Sequence, residues 1–389
     1  MSSASHVILP GATLGVLGGG QLGRMFVHAA QAMGYFTAVL DQDATSPAGL
    51  VSHHHIRTGY EDPQGLAELA QLCAAVTTEF ENVPAGALNT LAQSLPVSPA
   101  GSAVAIAQDR AAEKAHFVQC GVPCAPYAVI ETPAQLTAFN DALLPGILKT
   151  ARMGYDGKGQ IRVKTRAELI AAWDELKNVA CVLEKMLPLA HECSVIVARG
   201  QDGSIVSLPV QRNLHRDGIL AVTEVYASNL PAAQAEQALA AAKSVADGLG
   251  YVGVLCVEFF VLDDGRLVVN EIAPRPHNSG HYSQNACDVS QFELQVRCMT
   301  GLPLTQPRQH SPAIMLNLLG DLWFRHGDAA QAPAWDKVLA LPGCHLHLYG
   351  KVDAKRGRKM GHLNITAATP EIVRATALKA AEILGIAPF

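Results

Sequence analysis

The chain has 389 residues, 49% of them hydrophobic and 16% charged, with a formal net charge of −5. That length is too great for one ordinary core, so two or three domains are expected. With no polybasic tract and no apolar run near the ~18 residues of a membrane-spanning helix, neither nucleic acid nor a membrane is expected as a partner. The first lysine or arginine is Arg24, so the charged start of a secretory signal is missing. Nine cysteines without a C-x-x-C pair read as buried, reduced thiols of a cytoplasmic protein.

In chain order, residues 13–17 read as a short buried strand and Gly18-Gly19-Gly20 as a turn. An amphipathic helix over 21–33 is ended by Gly34, and a second strand over 36–40 closes at Asp41. His53, His54 and His55 read as loop residues, because adjacent side chains share no face of a strand or helix. A helix over 63–73 and a strand over 75–78 complete a β-α-β-α-β half of a doubly wound sheet, which Pro96 and Pro99 close.

A helix over 109–120 opens a mixed middle region. Strands are expected near 146–150, 160–163, 180–184, 193–198 and 205–210, with helices near 167–177 and 232–248. This order suggests an α+β domain with an antiparallel sheet. The three prolines of residues 301–312 mark a connector, followed by strands near 313–319 and 344–350. A last helix starts at Thr369-Pro370, presents Val373, Ala377, Ala380 and Leu384 on one side, and stops at Gly385. The expected domains are 1–108, 109–302 and 303–389.

One pair of acids stands out. Residues 252–262 and 266–271 are apolar, β-forming runs around Asp263-Asp264-Gly265, a hairpin signal. A two-residue turn at Asp264-Gly265 puts Glu258 directly across from Glu271. Like charges facing each other across strands are destabilising unless a cation lies between them. With Asn270 as a third oxygen donor, the expectation is a magnesium site.

Two glycine-rich turns accompany it. Gly18 to Gly23 satisfies G-x-G-x-x-G between a strand and a helix, with Asp41 18 residues further on. Alone it suits a dinucleotide, or any anion that takes the exposed N–H groups of a helix start. The second turn, Gly154-Tyr155-Asp156-Gly157-Lys158-Gly159-Gln160, follows a strand and is flanked by Arg152. Glycines that let amides approach, together with a lysine, suit a polyphosphate, although no Walker pattern is present.

In order along the chain, Lys149, Gly154 to Gln160, Glu184, Glu258 and Asn270-Glu271 resemble the ATP-grasp ligases. Residues 18–25, 78–83, 213–220, 270–281 and 357–362 narrow this to the 5-(carboxyamino)imidazole ribonucleotide synthases of purine biosynthesis. The resemblance spans nearly the whole chain. It implies an α/β and α+β protein: an N-terminal Rossmann-like domain, a central two-lobed ATP-grasp domain and a small β-rich C-terminal domain.

The resemblance also implies roles. Arg110, Lys149 and Lys158 bind ATP phosphates beside Gly154, Gly157, Gly159 and Gln160. Glu184, Lys185, Met186 and Leu187 hold adenine, Glu192 the ribose hydroxyls, and His215 contacts the nucleotide. Glu258 and Glu271 hold magnesium, with Asn270 beside them. Arg275, His277 and Asn278 line the bicarbonate and acyl-phosphate site. Tyr155, Asp156 and Gln21 meet 5-aminoimidazole ribonucleotide, and Lys351 and Arg358 clamp its 5′-phosphate. Asp156 or His277 takes the proton when the amine is carboxylated, and a homodimer is implied. The chain departs from the family at Lys355-Arg356, where Arg-Pro is usual, and at Arg212, where a carboxylate or histidine is usual. Three other readings compete: a nicotinamide oxidoreductase, a non-catalytic nucleotide sensor, and a formate-dependent glycinamide ribonucleotide transformylase.

Overall fold

A computed structural model describes residues 7–154 and 159–389 of the chain. Strands β1 (Thr13–Leu17), β2 (Phe36–Leu40), β3 (His54–Ile56) and β4 (Ala75–Thr78) form a parallel sheet in the order β3-β2-β1-β4. Helices α1 (Gln21–Ala32) and α2 (Pro63–Leu72) are the crossovers, and α3 (Ala85–Leu91) and α4 (Gly101–Ala107) lead out. The triple histidine is no loop: His54 and His55 belong to the edge strand, and the His53 ring hydrogen-bonds Thr37 of β2.

The first glycine turn is occupied by the protein itself. Gly18 adopts φ +105°, which favours glycine. Gly19 N–H donates to Asp41 (2.7 Å), and the Gly20 and Gly23 N–H groups donate to the Glu79 carboxylate (3.0 and 3.1 Å). Two acids of this chain therefore fill the anion-binding start of α1. Asp41, the residue a nicotinamide ribose would need, is committed to that turn and to the Tyr60 hydroxyl.

The middle region begins with α5 (Arg110–Gln119), capped by Asp109. A small antiparallel sheet follows in the order β5-β8-β6-β7, built from β5 (Tyr127–Ile130), β6 (Gly146–Thr150), β7 (Gln160–Val163) and β8 (Cys181–Lys185). Helices α6 (Pro133–Ala138) and α7 (Arg166–Glu175) cover it, with Leu148, Leu169, Trp173 and Leu183 in its core. The second lobe holds β9 (Leu189–Arg199), β10 (Ile205–Ser207), β11 (Gln211–Arg216), β12 (Ile219–Val225), α8 (Ala232–Gly248), β13 (Gly253–Leu262) and β14 (Leu267–Ala273). After it come α9 (Ser283–Ala286) and α10 (Gln291–Thr300), the latter ending at Gly301 with φ +71°.

The C-terminal strands do not form a sheet of their own. β15 (Ala313–Leu319), β16 (Cys344–Leu348) and β17 (Lys359–Thr366) extend the large sheet, whose path is β14-β13-β9-β11-β12-β15-β17-β16. After the short α11 (Trp335–Leu339), α12 (Pro370–Leu384) runs between the Thr369 cap and Gly385 as its spacing predicts, burying Val373, Ala377, Ala380 and Leu384. At the junction with the middle region His281, His362 and His347 stack, with centroids 4.4 and 4.5 Å apart. No helix among the described residues is long and apolar enough to cross a membrane.

If Glu79 is what satisfies the start of α1, Glu79→Ala should leave the Gly20 and Gly23 donors unpaired. A loss of about 2–3 kcal/mol is expected, read as a lower thermal midpoint. An unchanged midpoint would remove that role.

Candidate active site

The acid pair meets as the sequence predicts, by a different route. The loop is three residues long: Leu262 pairs with Arg266 around Asp263-Asp264-Gly265, and Gly265 has φ +83°. Phe259 then faces Val269, one residue out of the expected register. A bulge between Glu258 and Phe259 leaves Asn270 as the extra residue, after which Glu258 faces Glu271. The Asn270 Oδ1 atom is buried and has no hydrogen-bond partner among the described residues.

Cations on separate elements surround the two acids. Arg110, Glu113, Lys114 and Phe117 lie at i, i+3, i+4 and i+7, one face of α5, turned toward the sheets. Arg110 Nη1 lies 3.2 Å from Glu271 Oε2. Lys114, fully buried, donates to the Asn270 carbonyl (2.9 Å) and pairs with Glu184 of β8 (3.4 Å). Lys149 of β6 pairs with the same Glu184 oxygen at 3.1 Å. Burial would raise the Glu184 pKa, but the two ammonium groups hold it below the usual carboxylate range. One α5 lysine thus bridges both lobes. Glu113 accepts from the Ile272 N–H at 2.7 Å, and burial pushes its carboxyl up to about 8.

His277 Nε2 lies 3.0 Å from Glu258 Oε1, and its Nδ1 is 3.0 Å from the Ser279 hydroxyl. Burial opposes ionisation of Glu258, yet His277, His215 and Arg275 together hold its pKa below the ordinary value. Arg275 ion-pairs with Glu81 of the N-terminal domain. Partial burial opposes ionisation of Glu81, but the Arg275 guanidinium holds its carboxyl down to about 2. His215 of β11 pairs with Glu192 of β9; burial lowers its pKa, and the Glu192, Glu258 and Glu271 charges outweigh that and raise it.

Most of these groups, though not the buried Lys114, line one cleft of about 1040 Å³ between the lobes, the N-terminal domain and the C-terminal strands. Gln21, Arg110, Lys149, Gly154, Gln160, Glu184, Lys185, Met186, Leu187, Glu192, His215, Glu258, Asn270, Glu271, Arg275, His277, Asn278, Lys351 and Arg358 all face it. Gly159 is not among the lining residues; its φ is +71° and its carbonyl accepts from Thr150 N–H at 2.8 Å. Tyr155, Asp156, Gly157 and Lys158 lie outside the described residues. Arg152 turns aside to Asp109, 3.0 Å away. At the far end Lys351 donates to the Lys359 carbonyl (2.6 Å) and Arg358 to the Asp353 carbonyl (3.0 Å). The Lys355-Arg356 turn is held without proline: Arg358 N–H bonds the Lys355 carbonyl (3.0 Å), and Gly357 N–H bonds Asp321 (2.7 Å).

Three family descriptions cover most of the chain: a ribonucleotide synthetase preATP-grasp domain at 11–108, an ATP-grasp domain at 115–292, and a phosphoribosylaminoimidazole carboxylase C-terminal domain at 313–376. An N5-carboxyaminoimidazole ribonucleotide synthase from Brucella melitensis is 43% identical over 91% of this chain and 96% of its own length. The chain belongs to the N5-carboxyaminoimidazole ribonucleotide synthase family. It is an ATP-grasp ligase. An ADP complex of one N5-carboxyaminoimidazole ribonucleotide synthetase superposes with a TM-score of 0.89 at 39% identity, covering 98% of both chains. The Aspergillus clavatus synthase, solved with ADP and 5-aminoimidazole ribonucleotide, gives a TM-score of 0.86 at 32% identity, over 96% of this chain and 98% of that one.

Within that family frame, the sequence reading missed the charged partners of its own site residues. Glu79 and Glu81 come just after the buried strand β4, the end of a parallel strand where open α/β sheets place functional groups. Glu113 and Lys114 were legible as helical neighbours of Arg110. Lys114→Met should remove the ammonium that donates to the Asn270 carbonyl and leave Lys149 as the remaining ion-pair partner of Glu184 among the described residues. An expected cost of about 1.5–3 kcal/mol, the range for a hydrogen bond to a charged group, is checked by denaturant unfolding.

Proposed function

We infer that this chain carboxylates 5-aminoimidazole ribonucleotide at the expense of ATP in purine biosynthesis, giving the N5-carboxylated ribonucleotide, ADP and phosphate. One observation carries the reading. A single cleft joins Lys149 and Lys185, the acid pair, and Lys351 and Arg358, in a chain that family synthases match almost end to end.

Bicarbonate is a poor electrophile, and phosphorylation by ATP makes it carboxyphosphate. Arg110, Lys149 and Lys158 are assigned to the ATP phosphates, together with the glycine-rich segment Gly154 to Gln160. Lys185, Met186 and Leu187 border adenine. Glu184 is assigned there chiefly through its backbone, because its carboxylate is held by Lys114 and Lys149. Glu192 and His215 face the ribose side. Glu258, Glu271 and the unpartnered Asn270 Oδ1 offer hard oxygens that fit magnesium. Bound there, magnesium would neutralise charge on the transferring phosphate.

Arg275, oriented by Glu81, is set to stabilise negative charge on the carboxyphosphate, next to His277 and Asn278. The exocyclic amine then forms a bond to the activated carboxyl carbon, or to the carbon dioxide it releases, as the carbon–oxygen bond to phosphate breaks. Its proton goes to Asp156 or His277. Gln21, Tyr155 and Asp156 are assigned to the aminoimidazole end, and Lys351 and Arg358 to its 5′-phosphate. We further take the enzyme to work in three units, 1–108, 109–302 and 303–389, as a homodimer in the cytoplasm. Its nine cysteines, all free, suit that compartment.

ADP release should require ATP, bicarbonate and 5-aminoimidazole ribonucleotide together. Turnover with formate and glycinamide ribonucleotide in their place would overturn the assignment. Glu271→Ala should lower ADP release by at least about 100-fold while the circular dichroism spectrum stays unchanged, and full activity would remove the metal role. Burial, helped by Arg358, lowers the Lys351 ammonium to about 8. The charged form binds phosphate, so kcat/KM for the ribonucleotide should fall as pH rises through about 8. Lys351→Arg should flatten that limb, because a guanidinium stays charged; an identical pH profile would sink the phosphate role.

A further inference from the structure

We propose that Cys256, Glu258 and His277 form a binding site for a thiophilic divalent metal such as zinc, overlapping the magnesium site and blocking it. Cys256 and Glu258 are i and i+2 on β13, so both side chains leave the same face of the strand. His277 comes down on that face from the segment after β14. The thiol sulfur, a carboxylate oxygen of Glu258 and a ring nitrogen of His277 all lie within 4.8 Å of one another.

Zinc–ligand bonds of about 2.0–2.3 Å correspond to donor–donor edges of roughly 3.3–3.8 Å in a tetrahedron. The His277–Glu258 edge is already 3.0 Å, and the edges to sulfur need a contraction of about 1.5 Å at most, within reach of side-chain torsions. The His277 ring already points Nε2 at Glu258 (3.0 Å), with Nδ1 beside the Ser279 hydroxyl (3.0 Å) and accepting from the Ser279 N–H (3.4 Å). Metal binding at Nε2 would shift the ring proton to Nδ1, where the Ser279 hydroxyl can accept it. Glu258 and His277 both line the cleft, which leaves the fourth position to water or a substrate oxygen. A sulfur, nitrogen and oxygen set selects zinc or cobalt over magnesium, which avoids thiolates. Coordination forms a metal–sulfur bond and releases the thiol proton to solvent; no electron moves.

Capture of Glu258 by such a metal removes one of the two acids assigned to magnesium, and this consequence rests on the function proposed above. The coordination does not. Reduced, metal-free full-length protein titrated anaerobically with cobalt(II), without substrates, should develop a thiolate-to-cobalt absorption band at one equivalent that zinc abolishes. Cys256→Ala and Cys256→Ser should both lose that band. Both should keep magnesium-dependent ADP release and tolerate at least 10-fold more zinc than the unsubstituted chain. If the alanine variant fails to fold, the serine variant carries the comparison. No band in the unsubstituted chain, or a band that survives in the variants, overturns the site. A band with no ligase activity overturns the function above and leaves the metal site standing.

Discussion

Two carboxylates held face to face in a partly buried cleft repel each other, and the rest of the site is arranged around that cost. Glu258 and Glu271 are brought opposite by backbone pairing, so neither can move away without breaking the sheet. Glu258 pairs with His277 and Glu271 with Arg110, His215 and Arg275 add charge nearby, and Lys114 donates to the Asn270 carbonyl. Those neighbours come from α5, from β11 and from the segment after β14. The strand hairpin alone would be poor in energy; with α5 docked it becomes a site whose charges are fixed before any ligand arrives.

The same docking ties the two lobes together. Lys114 reaches β8 in the small sheet and β14 in the large one, so the cleft between them has a charged hinge point rather than only an apolar seam. Arg275 and Glu81 make a corresponding tie from the large sheet to the N-terminal domain. Continuation of the large sheet into β15, β17 and β16 then brings Lys351 and Arg358 to the far end of the cleft. Three units of chain converge on one cavity through a buried ion cluster, a half-buried ion pair and one shared sheet.

The N-terminal glycine turn shows how a motif can hold while acids of the same chain take its donors. Gly18 to Gly23 has the strand, turn and helix that a dinucleotide site needs. The donors at the start of α1 instead meet Asp41 and Glu79, so the turn serves to order the wall of the cleft that carries Gln21. The pattern specifies backbone shape; only the neighbouring strands specify which anion fills it.

Local signals carried a large part of this protein. The caps at Thr369 and Gly385, the strand-helix alternation of the first domain and the existence of the hairpin follow from short-range pattern, because turn chemistry and side-chain periodicity act over a few residues. A two-residue turn predicts that Glu258 faces Glu271, but a three-residue loop and a bulge deliver that pairing. The compensating bulge at Asn270, the strand character of residues 211–216, 219–225 and 359–366, and the fusion of the C-terminal strands onto the large sheet were not legible. Those depend on partners far away in the chain. So do the ion pairs of Lys114 with Glu184, Arg275 with Glu81 and Arg110 with Glu271, separated by 70, 194 and 161 positions. Sequence by itself determined which residues could bind phosphate and metal; tertiary structure decided which charges stand beside them, since a Coulomb interaction depends on distance in space and not along the chain.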